Sequence, residues 1–364
     1  MTTPEMKTLY DSLLSGHVGI VGATGSGKTF CAKGIAEYLL ENHSRVCVID
    51  PTSAWFGIKV RPDKVTPAFP LVIFGGEHAD VPIRPGQGDE IAGIVGTTDI
   101  SSIIDTVQMT VDDRTRFLTD FADALFRLNK GTLHLFIDEA DVVMPQRGGN
   151  GDKRAGRMLM AANNLMARGR SRGLQITIIS QRPAKLHKDS LSQVDTLIAM
   201  KLKAPQDRNA IKGWAMDSIS KEVMDKLMEK LPSLPKGTGW VLDTEGQMTE
   251  RQFPMISTFD SSNTPKESSI GVEAAMNVAQ IKKRLGIIPV KNDDKPLPSE
   301  PVHSTSMKND DKKFDDTISV SQIMERIEAL AVESYEQLRD KKKRIPKPRE
   351  VRRIILKAAV KGSK

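Results

Sequence analysis

The apolar positions of this chain gather into short, nearly unbroken runs separated by stretches with helical spacing. Residues 17–21, 45–49, 71–74, 102–107, 133–137, 176–180 and 197–202 read as strands. Between them, 30–41 repeats apolar residues at Cys31, Ile35 and Leu39, and 111–129 does so at Phe117, Phe121, Leu125 and Leu128. A glycine-rich loop (Gly148, Gly149, Gly151) leads into a helix over 153–168, and residues 205–230 hold two short helices. Unbroken apolar runs mean strands covered on both faces, and alternation with helices means parallel pairing. The pattern predicts an α/β domain over residues 1–260, closed by a hairpin over 239–253 that turns at Glu245-Gly246. Residues 52–70 carry three prolines and read as an irregular excursion, where Trp55 and Phe56 pack over the sheet edge, the alternative being that they cover a nucleotide base. Glu77-His78-Ala79-Asp80 reads as a surface turn, since no second ligand cluster accompanies it. No internal repeat is visible.

The pattern fades after Asp260. Residues 261–318 read as a polar linker with one short helix at 272–285 and a Pro-, Asp- and Lys-rich stretch at 292–317. In 319–364, Ile323, Ile327, Leu330 and Leu338 mark one face of a helix over 321–339, and a short basic helix follows at 349–360. Charge divides along the same line. The net charge is +7, yet residues 341–364 hold eleven of the 53 basic groups and one of the 46 acidic ones, leaving 42 basic against 45 acidic elsewhere. Any nucleic-acid contact by the body therefore rests on a local patch, while residues 341–364 are strongly basic. Lys341, Lys342, Lys343, Arg344, Arg352 and Arg353 are the candidate phosphate contacts there. Two cysteines, Cys31 and Cys47, fall in predicted buried elements and point to a reducing compartment. With no signal-peptide pattern and no run of eighteen apolar residues, the expectation is a soluble cytoplasmic protein without a membrane partner.

Candidate chemistry changes the picture most. Gly22-Ala23-Thr24-Gly25-Ser26-Gly27-Lys28-Thr29 matches G-x-x-x-x-G-K-[ST] at every fixed position, between a predicted strand and a helix opening at Phe30. The glycines let backbone N–H groups turn toward phosphates, and the helix N-terminus adds partial positive charge. Lys28 would reach the β- and γ-phosphates of ATP, and the Thr29 hydroxyl would ligate Mg²⁺. Asp138-Glu139 ends the strand at 133–137. There Asp138 would hold the Mg²⁺ shell and Glu139 would polarise the attacking water. Gln181, at the end of the next strand, sits where parallel strand ends converge, and is read as a water-orienting or γ-phosphate-sensing group. Arg168, Arg170 and Arg172 precede that strand, and could line a nucleic-acid channel or supply an arginine finger.

These motifs in this order (GATGSGKT, LFIDEAD, RGRSRGLQITIISQRP) resemble the HerA/FtsK superfamily of ring-forming, DNA-pumping ATPases, and the HerA-like branch in particular. LPSLPKGTGW and TFDSSNTP add to the resemblance, which covers roughly residues 16–265. It implies a RecA-like P-loop NTPase fold with a mainly parallel central sheet, to which the sequence adds a small helical C-terminal tail. It also implies ATP and Mg²⁺ as cofactors and nucleotide bound between subunits of a ring, most often a hexamer. The family's arginine before the sensor strand corresponds to Arg170. Full-length HerA proteins resemble a β-barrel followed by the ATPase, whereas here the glycine loop begins at residue 22, which leaves a nuclease partner in question. A double-stranded DNA translocase or helicase, an ATPase that controls an effector protein, and a DNA packaging or conjugation motor all share this nucleotide site.

Overall fold

The computed structural model of the protein describes residues 4–146, 153–216 and 218–261. The glycine-rich loop at 148–151, the helices expected within 272–285, 321–339 and 349–360, and the basic residues from Lys341 onward lie outside the described residues.

Nine strands form one sheet in the order β3-β4-β2-β5-β6-β1-β7-β8-β9. They are β1 (Val18–Val21), β2 (Val46–Asp50), β3 (Val72–Phe74), β4 (Ser102–Asp105), β5 (Leu133–Ile137), β6 (Leu174–Ser180), β7 (Thr196–Met200), β8 (Thr238–Asp243) and β9 (Met248–Gln252). Strands β1 to β7 pair in parallel, and only β8 and β9 run antiparallel, as the expected closing hairpin with Gly246 at φ +85°. The α/β fold with a mainly parallel central sheet is therefore as expected. Strand β6 inserts between β1 and β5, with Val21 opposite Ser180 and Ile137 opposite Ile178.

The central strands alternate between two cores. Cys47, Ile49, Leu135, Ile137, Ile176, Ile178 and Leu197 face α3 (Gly88–Thr97), α4 (Val111–Leu128) and α6 (Lys153–Arg168). Val18, Ile20, Val48, Phe136, Ile179 and Ile198 face α1 (Pro4–Leu13), α2 (Lys28–Glu41) and the 51–71 excursion. Covering on both sides explains why these strands read as continuous apolar runs. The remaining helices are α5 (Ala140–Val143), α7 (Lys188–Ser192), α8 (Pro205–Ala215) and α9 (Lys221–Lys230).

The spacing does not announce α1, α3, α5 or α7. Helix α3 reads Gly-Asp-Glu-Ile-Ala-Gly-Ile-Val-Gly-Thr, a poor helix former by propensity. It forms because it packs backbone to backbone on α4: a Cβ at Gly88 would lie 2.2 Å from Phe117 O. Tertiary packing overrides propensity here.

After β9 the chain returns across the outer face of α2. The Glu37 carboxylate accepts from Ser257 N–H (2.8 Å), Thr258 N–H (2.9 Å) and the Thr258 hydroxyl (2.5 Å). Phe259 N–H donates to Val60 O at 2.9 Å, and the Ser261 hydroxyl donates to Ala54 O at 2.6 Å. Lys33, fully buried in α2, donates to Ser261 Oγ at 3.3 Å and lies 3.8 Å from Asp260. Residues 253–261 are thereby strapped to the helix that follows the glycine loop.

Hydrogen bonds to a charged group are each worth about 1.5–3 kcal/mol, and donors left unpaired cost more. Glu37→Ala should therefore destabilise the protein by about 3 kcal/mol in urea unfolding. Hydrogen exchange should rise at the Ser257 and Thr258 amides well beyond any change in β5 or β6.

Candidate functional site

The glycine loop is rooted in both strands that flank β1. Gly22 N–H donates to Ser180 O of β6 at 3.2 Å, and Ala23 N–H donates to Lys201 O beyond β7 at 2.8 Å. These two residues anchor the loop and have no N–H left for a ligand. Gly25 and Gly27 hold φ of +78° and +101°, left-handed values that a side chain disfavours and that turn successive amides toward one centre. The first backbone bond entering α2 runs from Cys31 N–H to Gly27 O at 2.9 Å, so the amides of Lys28, Thr29 and Phe30 point out of the helix end. Lys28 is 6% exposed with no hydrogen bond or ion pair to another described residue, and Ser26 Oγ is buried without a partner. A buried ammonium with no direct ion pair, beside open amides, suits an anion.

Opposite lies the acidic strand end. Asp138 is 2% exposed. Its Oδ2 accepts from Trp55 Nε1 at 2.8 Å, and its Oδ1 accepts from Glu139 N–H at 2.9 Å. Burial, then the neighbouring Asp50, push its pKa up to about 6. Glu139 has φ +43°, a rare left-handed conformation for a side chain of its size, which makes the turn from β5 into α5 abrupt. Burial raises its pKa, while Lys28 and a hydrogen bond from Gln181 pull it back.

Gln181 joins the two halves. The Thr24 hydroxyl donates to Gln181 Oε1 at 2.6 Å, and Gln181 on its other side lowers the pKa of Glu139. Ser180, one residue earlier, donates to Asp141 Oδ1 at 2.8 Å and accepts from Arg182 N–H at 3.0 Å, fixing the turn that presents Gln181. Because β6 lies between β1 and β5, this bridge spans from the glycine loop to the acidic strand end.

One cavity of about 460 Å³ is lined by Thr24, Gly25, Gly27, Lys28, Thr29, Phe30, Asp138, Glu139 and Gln181. No cluster of three or more His, Cys, Asp or Glu able to hold a metal occurs among the described residues. The chain offers Thr29 and Asp138, a donor set that suits Mg²⁺ when phosphate oxygens and water supply its remaining ligands.

Other expectations need correction. The aromatic pair divides: Trp55 is fully buried, packs on Phe136 with ring centroids 5.7 Å apart and serves Asp138, while Phe56 lines the cavity, stacked on His78 at 3.7 Å. Glu77 and His78 are not simply a surface turn, because both line the cavity; Asp80 accepts from Lys59 at 2.6 Å instead. Lys236, Asp260 and Ser261 also line it without having been singled out for chemistry. Their signal lay in the Pro-Lys-Gly and Phe-Asp-Ser-Ser stretches, whose distance in sequence from the glycine loop concealed it.

The arginines lie elsewhere. Gly169–Arg172 forms a 3-10 turn at the start of β6, at the opposite edge of the sheet from the glycine loop and about 20 Å away for a seven-residue strand. Arg170 pairs with Asp195, whose carboxylate also accepts from His17 N–H at 2.6 Å. Arg172 lies over the Phe126 ring at 5.5 Å, and Arg168 is exposed. None of the three reaches the cavity within its own chain.

The family model described as the central domain of helicase HerA matches residues 4–120. The DNA double-strand break repair helicase HerA of Pyrococcus furiosus is 30% identical over 93 residues, which is 26% of this chain and 16% of that protein. The probable HerA of Methanocaldococcus jannaschii is 30% identical over 136 residues, 37% of this chain and 24% of its own length. The aligned stretch is thus at most about a quarter of either curated relative. Among solved structures, VirB4 of Thermoanaerobacter pseudethanolicus superposes with a TM-score of 0.48 at 13% identity, covering 66% of this chain and 89% of that one. Residues 4–120, which carry the glycine loop, are thus similar to the HerA central domain, and the fold sets the acidic and glutamine strands beside that loop.

Proposed function

We propose that the protein hydrolyses ATP and uses the cycle to move double-stranded DNA, as a translocase or helicase working in a homo-oligomeric ring. The observation that carries the hydrolytic part is the Thr24–Gln181 hydrogen bond, which sets Gln181 between the phosphate loop and Glu139 in one cavity. Sequence similarity to HerA helicases supports the coupling to DNA.

The open amides from Lys28 to Phe30 and the Lys28 ammonium bind the triphosphate and draw its terminal phosphate toward Asp138 and Glu139. Thr29 and Asp138 would hold Mg²⁺, which when bound screens the phosphate charge. Glu139 accepts a proton from the attacking water, and its position next to Gln181 lets the amide hold that water or report on the terminal phosphate. Trp55 keeps Asp138 oriented through Nε1. An arginine from the 168–172 turn of a neighbouring copy, with Arg170 the family's counterpart, offsets transition-state charge. In this reading residues 1–260 are the motor, 261–318 a linker, and 319–364 a basic segment that grips DNA phosphates without reading sequence.

ATP hydrolysis should rise several-fold on adding double-stranded DNA at low salt and lose that stimulation as salt increases. Hydrolysis indifferent to any DNA would reject translocation and leave a nucleotide-driven switch for a protein partner. Glu139→Gln should bind ATP with near wild-type affinity while turnover falls at least about 100-fold; turnover at the wild-type rate would remove Glu139 as the base. Trp55→Phe keeps an aromatic ring but removes the donor to Asp138. It should lower kcat about tenfold, a barrier change of about 1.4 kcal/mol, and raise the Mg²⁺ concentration needed for half-maximal rate.

A further inference from the structure

The connection between α9 and β8 brings a second lysine to the cavity. Gly237 N–H donates to Ser26 O of the glycine loop at 2.9 Å, and Phe253 N–H donates to Gly237 O at 2.9 Å. Gly237 is left-handed at φ +79°, and a Cβ on Gly27 would lie only 3.0 Å from Gly237 N. Two glycines thus meet backbone to backbone, which fixes residue 236 against the phosphate loop. Lys236 lines the cavity beside Gly25 and Gly27. It makes no hydrogen bond or ion pair to another described residue. Lys59, Lys33 and Lys230, by contrast, are matched by Asp80, Asp260 and Glu250.

The two lysines approach from different sides. Strands β6 and β5 flank β1 on one side, carrying Gln181, Asp138 and Glu139, whereas β7 and β8 lie on the other. On the nucleotide-binding reading, Lys28 and Thr29 direct the terminal phosphate toward the first side, where Asp138, Glu139 and Gln181 line the cavity. A cation on the β8 side is left to the phosphates nearer the nucleoside.

Resting on the nucleotide-binding reading above, we propose that Lys236 is a second phosphate-binding lysine, holding the α- and β-phosphates of ATP and ADP from the β8 side of the loop. It contributes to ground-state binding and not to the hydrolytic step. ATP and ADP affinities therefore depend on it alike, and kcat does not. One charge-assisted contact at a partly solvated site corresponds to about a tenfold change in affinity.

Titration of the full-length wild type, Lys236→Gln, Lys236→Arg and Lys28→Ala with ADP and with a non-hydrolysable ATP analogue tests this, beside KM and kcat for ATP. Lys236→Gln removes the charge but keeps a polar, slightly shorter side chain, and should fold with an unchanged melting temperature. The expected result is about tenfold weaker binding of both nucleotides, a matching rise in KM, kcat within twofold, and recovery in Lys236→Arg. Wild-type affinity in Lys236→Gln, with Lys28→Ala impaired, would overturn the role of Lys236 and leave the nucleotide site intact. A fall in kcat with KM unchanged would also overturn it. Failure of the wild type to bind either nucleotide would sink the nucleotide reading itself.

Discussion

A carboxylate buried at the end of a central strand resists carrying charge, and much of the site is arranged around that difficulty at Asp138. Its two oxygens accept from Trp55 Nε1 and Glu139 N–H, both of which favour the ionised form. Asp50, fully buried beside it, works the other way. Asp50 is in turn held by Thr52 and Trp55 N–H groups at 3.0 and 2.9 Å, so the turn after β2 exists to satisfy one acid and to aim an indole at another. Lys33 supplies the buried positive charge of this group: burial lowers its pKa, while Asp260 and then Asp50 and Asp138 raise it. A cation brought to Asp138 would relieve the same tension from the cavity side.

Lys33 also explains why residues 253–261 belong to the site. A buried ammonium needs polar partners, and the helix that carries it has none of its own on that face beyond Glu37. Ser261 and Asp260 serve Lys33, and Ser257 and Thr258 serve Glu37. At Gly57 a Cβ would lie 2.2 Å from Phe259 O, so the strap and the turn after β2 meet without room for a side chain. The two lining residues contributed by the strap, Asp260 and Ser261, are therefore set by the packing of α2.

The strands and the glycine loop were legible because their signals are local. A buried parallel strand must be apolar throughout, and a phosphate loop must place glycines where φ is positive. Gln181 was legible because it ends an apolar strand and parallel strand ends converge, whereas the insertion of β6 between β1 and β5 was not. Trp55 was not: an aromatic residue in an irregular stretch reads as packing, and its hydrogen bond to Asp138 spans 83 residues. Lys236 and Asp260 stayed hidden for the same reason, since their meaning lies in contacts with Ser26 and Lys33 far upstream. Helix α3 escaped notice because Gly93 and Gly96 weaken its periodic signal, while α4 supplies the packing that forms it.

The two ends of β6 divide the chemistry. Gln181 follows its last residue and the arginine turn precedes its first, so a rigid strand keeps the arginines away from the cavity of their own chain. Arg170 is also engaged by Asp195, which holds the backbone at His17, the residue that leads into β1. In the proposed ring, the arginine that completes the phosphoryl-transfer site comes from another copy, presenting the opposite edge of its sheet. That is a head-to-tail contact, with different surfaces on the two partners, and repeated it closes into a ring or runs on as a filament. For Arg170 to take part it must exchange Asp195 for phosphate, so its engagement would be felt at the root of the strand that carries the glycine loop.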